Sequence, residues 1–426
     1  MVSHAQSLHK LVVAAYLAAA SFGSFWGAWG ASIPRIRLQA GVDDGQLGFA
    51  LLFVGAGALP AMLVTGRALD KWGLRFAAAA IIALGVAGLG VALTAHDFIA
   101  LCAGLAVVGL ASGATDVAMN SIAGRAEQAS GVAIILRSGG VFSSFVVLAS
   151  IATGASSWVG APVATPFFVV AVFSLAACVN LLRSLPAQPI TEAEREAPGA
   201  PAPASDRSRR LRWTPLLLVG TLGALAFASE NAHQSWGAVF LEDQLSAGPG
   251  FSAVAPAVFA GVVAVTRFSL GRIQRGNEKL MLVLGSVTAA AGALIIAGSA
   301  TVLIAVLGLI VAAAGTAALY PTMLSLVSRG VDEAYRGRAT AIVTTVSYIG
   351  FLLGPVYVGI WSQLTGLRGA MLAVAALGAI LSLLSVPLLH MSGYGSRRAD
   401  RVMVRDVATG GGPTATPPAE ARRRNV

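Results

Sequence analysis

Two stretches of this 426-residue chain place ionisable and amide side chains inside otherwise apolar runs, and chemistry is to be sought there. In the first, Asp116 is followed four residues later by Asn120, which on a helix puts carboxyl and carboxamide on one face. A carboxyl so placed can take up and release a proton as its access alternates between two sides. The competing role is structural, a carboxyl bonded to Asn120 or to a neighbouring helix. In the second stretch, Ser229, Glu230, Asn231, His233, Gln234 and Trp236 crowd into about two turns of apolar sequence, which a purely lipid-facing helix would not tolerate. Glu230 can hold a cation or a proton. His233 can change charge near physiological pH, or be a wetted polar residue near the membrane interface. Arg137 is the expected intramembrane cation, able to pair with Asp116, to hold an anionic or hydroxylated solute, or to snorkel to the interface. Trp26, with Phe25 and Trp29 beside it, and Trp236 offer surfaces for stacking on a sugar or aromatic solute, or form part of an interfacial belt.

The elements that must position these groups are membrane helices. Hydrophobic residues make up 56% of the chain and charged residues 11%, with a mean hydropathy of +0.77, which excludes an ordinary water-soluble domain of this size. About twelve apolar runs are each long enough to cross a bilayer as a helix. They fall near 11–33, 47–66, 75–95, 98–122, 132–154, 162–183, 214–236, 252–271, 280–299, 302–328, 339–362 and 367–390. A central Asp or Arg costs about 2.5–3.5 kcal/mol on insertion scales, so the polar groups are expected to face a wet crevice between helices rather than lipid. Residues 1–183 and 213–391 form two halves, joined by a Pro-, Ala- and Glu-rich cytoplasmic linker at 184–212 and followed by a disordered basic cytoplasmic tail at 392–426.

Lys and Arg collect on the side that an even span count assigns to both termini, leaving only Arg35, Arg37 and Arg368 opposite, so the termini are expected in the cytoplasm of a multi-pass cell-membrane protein. The net charge of +10 then follows from topology and needs no nucleic-acid partner. No G-x-x-x-x-G-K-[ST] loop occurs, which argues against ATP-driven pumping. Cys102 and Cys178 are isolated thiols without zinc-site spacing, and neither metal nor cofactor is expected. An intramembrane enzyme would need clustered carboxylates at one interface, for which Asp43-Asp44 and Glu242-Asp243 are the sole material.

Between the second and third runs lies Gly66-Arg67-Ala68-Leu69-Asp70-Lys71-Trp72-Gly73-Leu74-Arg75, and its opening Gly-Arg pair recurs at Gly271-Arg272, an echo that suggests a duplicated half. This G-x-x-x-D-K-x-G-x-R pattern resembles the signature loop of the major facilitator superfamily. Segments Gly113–Asn120, Ser235–Leu241 and Tyr348–Pro355 resemble a narrower branch, the YbjJ-type permeases near the fucose permeases. The resemblance implies an all-α membrane protein of twelve transmembrane helices in two six-helix bundles related by pseudo-two-fold symmetry. It further implies that Gly66, Asp70, Lys71, Gly73 and Arg75 gate the cytoplasmic side, with Asp70 latched against the positive amino-terminal end of the eleventh helix. In fucose-permease-like relatives an acid placed like Asp116 couples to protons. Arg267 resembles the Arg of a branch motif whose Gly is here Thr266.

The function expected is secondary active transport of a small organic solute by alternating access, coupled to protons, by a monomer in a lipid bilayer. Sugar-like uptake and efflux of a drug or secondary metabolite are both open directions. A nontransporting sensor is the remote alternative beside the enzyme.

Overall fold

A computed structural model describes residues 2–183, 213–270, 278–331 and 333–393. The 184–212 linker, nearly all of the basic tail and the Gly271-Arg272 echo lie outside the described residues. The helices are α1 (Val2–Ala40), α2 (Asp44–Trp72), α3 (Leu74–Thr94), α4 (Phe98–Ser130), α5 (Ile134–Trp158), α6 (Ala164–Arg183), α7 (Trp213–Val239), α8 (Pro249–Ser252), α9 (Val254–Leu270), α10 (Glu278–Gly298), α11 (Val302–Thr316), α12 (Leu319–Gly330) and α13 (Glu333–Ser392). A π-helical turn, Phe240–Gln244, extends α7.

Helix ends fall where capping chemistry dictates. Asp43 and Gln46 form a reciprocal capping box that starts α2, and Asp97 and Thr301 accept the backbone N–H of Ala100 and Ile304 at the starts of α4 and α11. Gly131 closes α4 in the left-handed conformation.

Among the described residues, eleven helical segments are long and apolar enough to cross a membrane. The last of these absorbs two expected runs, because α13 continues to Ser392 through Gly366, whose φ of 74° and ψ of 171° interrupt the helix. The expected run at 302–328 is instead broken, with α11 ending at Thr316 and α12 beginning at Leu319, just ahead of Pro321.

α1 to α6 pack chiefly on one another, as do α7 to α13, and the two sets meet mainly through α2 against α13 and α5 against α9. Small residues make these contacts close. A Cβ on Gly48 of α2 would lie 2.8 Å from the Pro355 carbonyl oxygen, and one on Gly354 would lie 2.8 Å from that of Ala228. Large apolar side chains such as Leu93, Ile99, Leu148, Val169, Leu303 and Leu383 point outward, as a bilayer would require.

Candidate functional site

The polar groups fall into three tiers along the bundle. In the middle tier, α4 presents Asp116 half-buried. Asn120 Nδ2 donates to its carboxylate at 3.1 Å and to its carbonyl at 3.0 Å, so the predicted one-face pairing is made. Asp116 also interacts electrostatically with Tyr348 of α13, across the junction of the two helix sets. Around Tyr348 stands an aromatic cluster. Phe227 of α7 stacks on Tyr320 of α12 with centroids 4.2 Å apart, and meets Tyr348 and Phe351 edge-on at 5.6 and 6.4 Å. All four rings are only partly covered, and Tyr320 shares a 2.8 Å hydrogen bond with Thr344.

One turn further along α7, Glu230 is buried and forms an ion pair with Arg267 of α9 at 3.1 Å, while Arg267 Nε donates to the Ala317 carbonyl at the α11–α12 break. Gln234 reaches back to Glu230 at 3.3 Å. Asn231 donates to the Phe351 carbonyl at 2.7 Å and accepts from Ser235 at 3.0 Å, tying α7 to α13. His233 is 2% exposed, bonded through Nδ1 to the Ser229 carbonyl and stacked on Phe259. Trp236 is fully enclosed, so it offers no face for stacking in this conformation.

Trp26 is half-buried and edge-on to Phe22 and Phe25. Arg137 lies in the first turn of α5 with an exposed side chain, and among the described residues it forms no ion pair with Asp116. Cys102 and Cys178 are free and buried. Among the described residues no three His, Cys, Asp or Glu gather into a metal-binding group.

At one end of the bundle, Arg37 of α1 is clamped between Asp44 of α2 and Asp243 of the π-turn. Ser362 of α13 also donates to Asp44, and Gln363 donates to Asp43 at 2.7 Å. Arg35 holds Ser157 and the Ala161 carbonyl at the end of α5, and Ser252 donates to Glu242 at 2.8 Å. A pocket of about 470 Å³ lies over this network, lined by Arg37, Asp43, Asp44, Asp243, Gln244 and Gln363 among others. The carboxylates that would have had to gather around a metal are thus bound by a guanidinium and by side-chain donors.

At the opposite end, the Gly66–Arg75 segment joins α2 to α3. Gly73 makes the turn with φ of 59°, a conformation that L side chains rarely adopt. Asp70, Lys71 and Arg75 are exposed, and Lys71 lies 5.1 Å from the Trp72 ring centre. A Cβ on Gly66, Gly139 or Gly140 would meet nothing within 4 Å, so each of these positions faces open space. Among the described residues Asp70 forms no ion pair.

Three features escaped the sequence reading: Arg267 as the partner of Glu230, the Phe227–Tyr320–Tyr348–Phe351 cluster, and the Arg37 clamp. The first two had a signal, since an Arg late in an apolar run and two Tyr in such runs stand out, but nothing local names their partners.

The family model of the Major Facilitator Superfamily matches residues 14–308 and 273–401. An uncharacterized MFS-type transporter of Yersinia pestis is 29% identical over 359 residues, spanning 82% of this chain and 88% of that protein. The membrane protein MosC of Rhizobium meliloti is 27% identical over 384 residues, spanning 85% and 86%. Among solved structures, the nucleoside transporter NupG aligns with a TM-score of 0.69 at 15% identity, over 89% of this chain and 99% of that one. A D-xylose-proton symporter aligns with 0.69 at 13% identity, over 89% and 97%.

Proposed function

Because the chain belongs to the Major Facilitator Superfamily, whose matched segments cover most of it, we propose that it is a proton-coupled secondary transporter of a small organic solute, working by alternating access. One observation carries the reading. A partly buried carboxyl, Asp116, lies at mid-bundle between an end tied together by Arg37, Asp44, Asp243, Ser362 and Gln363 and an end where Gly66, Gly139 and Gly140 face open space. A site closed to one side and reachable from the other is what alternating access requires at one stage of its cycle.

Counting α13 as two crossings separated at Gly366 gives twelve spans in two halves, 1–183 and 213–391. Positive residues around Arg67, Lys71, Arg75 and Arg125 then assign the open end and both termini to the cytoplasm of the cell membrane, and the Arg37 end to the outside. The conformation is accordingly inward-facing. Asp70 serves as the latch of the opposite state; among the described residues it forms no ion pair here. Asp116 carries the coupled proton, and Glu230 with Arg267 forms the neighbouring charge pair of the C-terminal half. The YbjJ-type, fucose-permease-like affinity rests on the Gly113–Asn120, Ser235–Leu241 and Tyr348–Pro355 segments.

The test is reconstitution. A metabolite library is screened by thermal shift on purified protein, and each stabilising solute is applied to proteoliposomes loaded with a pH-sensitive dye. Solute addition is expected to move protons in wild-type vesicles and not in Asp116→Asn vesicles. Solute flux with no proton movement would remove the coupling, and co-directional against opposed movement assigns uptake or export.

A further inference from the structure

The side chains around Asp116 select a charge as well as a shape. Glu230 is already matched by Arg267. Asp116 receives a hydrogen bond from Asn120 but, among the described residues, no ion pair from Lys, Arg or His, so the middle tier holds one carboxylate without a counter-charge.

The hydrogen-bonding groups nearby are occupied. Both ends of the Asn231 amide are engaged, by Phe351 and Ser235, and the Gln234 amide nitrogen is turned back on Glu230. A polyhydroxylated solute would therefore find few free amides on α7. An anion would have to draw Arg267 away from both Glu230 and the Ala317 carbonyl. What remains on offer is the carboxylate and four partly covered rings, Phe227 with Tyr320, Tyr348 and Phe351 all centred within 6.4 Å of it. Ring faces carry the negative lobe of the aromatic quadrupole, which attracts cations and repels anions.

We propose that this tier binds an organic cation, an amine or quaternary ammonium with an apolar body, its charge on Asp116 and its body against the faces of Phe227, Tyr320, Tyr348 and Phe351. The proposal rests on the transport reading above for its setting and adds the class of solute. It further means that solute and proton occupy the same carboxyl in turn, because a protonated Asp116 has no charge to offer.

The experiment measures binding of radiolabelled tetraphenylphosphonium to the full-length protein in detergent, with tetraphenylborate as a competitor of the same shape and opposite charge. Saturable binding that tetraphenylborate does not displace is expected. Asp116→Asn should weaken it at least about tenfold and Phe227→Ala about two- to thirtyfold, the span of a cation–π contact, while Asp116→Glu keeps most of it and so controls for folding. Adding the cation to lightly buffered wild-type protein should release protons, and adding it to Asp116→Asn should not. Absence of saturable binding, displacement by tetraphenylborate, or undiminished binding in Asp116→Asn overturns the proposal. If solute-driven proton movement persists in vesicles while the phosphonium fails to bind, the cation class falls and the transport reading stands. Binding intact without any flux supports the site and removes the transport reading.

Discussion

At the scale of single residues, the Glu230–Arg267 pair is the sharpest case. Glu230 is largely enclosed and Arg267 is 44% exposed at its side chain, so the two partners are not equivalent. Removing the cation strands a buried carboxylate, whereas neutralising the acid leaves an Arg that water can reach. Arg267→Ala should therefore destabilise the protein by about 2 kcal/mol and Glu230→Gln by less, with the double variant recovering part of the loss. Thermal unfolding of the purified variants reads this directly, and equal losses in both would contradict it.

The acid was legible in the sequence because a carboxylate in an apolar run must be explained, and Asp116 was legible for the same reason. The pairing was not, since residues 37 positions apart on different helices carry no local mark of contact. Trp236 was less legible. Its two readings were a stacking surface for solute and a place in an interfacial belt, and in this conformation the ring is fully enclosed, with Ala255 and Leu309 close around Gly237 beside it.

At the scale of elements, apolar runs foretold the helices well, because hydrocarbon leaves the backbone no other way to satisfy its hydrogen bonds. Their interruptions were harder to foresee. α5 begins only at Ile134, which puts Arg137 in an opening turn rather than mid-span, and the Ala317–Ala318 break depends on Pro321 together with packing against α9 and α10. The α2–α13 contact is where an element-level prediction is most exposed to test. A Cβ on Gly359 would meet the Asp44 carbonyl oxygen at 2.7 Å and Gly48 Cα at 3.0 Å, both backbone atoms that cannot swing aside. Gly359→Val should push α2 and α13 apart near Asp44. In a background with Cys102 and Cys178 replaced, a cysteine at position 45 should react several-fold faster with a polar thiol reagent than when Gly359 is kept. Unchanged reactivity would mean that the seal does not depend on this backbone contact.

At the scale of the whole molecule, the superfamily was readable from one loop, Gly66 to Arg75, whereas the conformational state was not. State is a property of how two helix sets lean on each other, and the residues that decide it, Arg37, Asp243, Ser362 and Gln363, are ordinary polar residues near span ends. Arg37→Gln removes the charge shared by Asp44 and Asp243, leaving two carboxylates to face each other without it. A loss of about 2 kcal/mol from the sealed form corresponds to a roughly thirtyfold shift in population towards the form open at this end. Cysteines at positions 45 and 363, whose side chains would touch in the sealed form, should cross-link readily in an otherwise wild-type chain and poorly with Arg37→Gln added. Equal cross-linking in both backgrounds would show that the clamp is incidental.

The π-turn at Phe240–Gln244 bears on how that end comes undone. A wide turn holds a residue more than an ordinary α turn, and expelling the surplus rotates everything beyond it by on the order of 100° about the helix axis. Asp243 would then swing off Arg37 while α7 stayed seated on α13. Such a change at one helix tip would part Asp243 from Arg37 without requiring the two helix sets to move first.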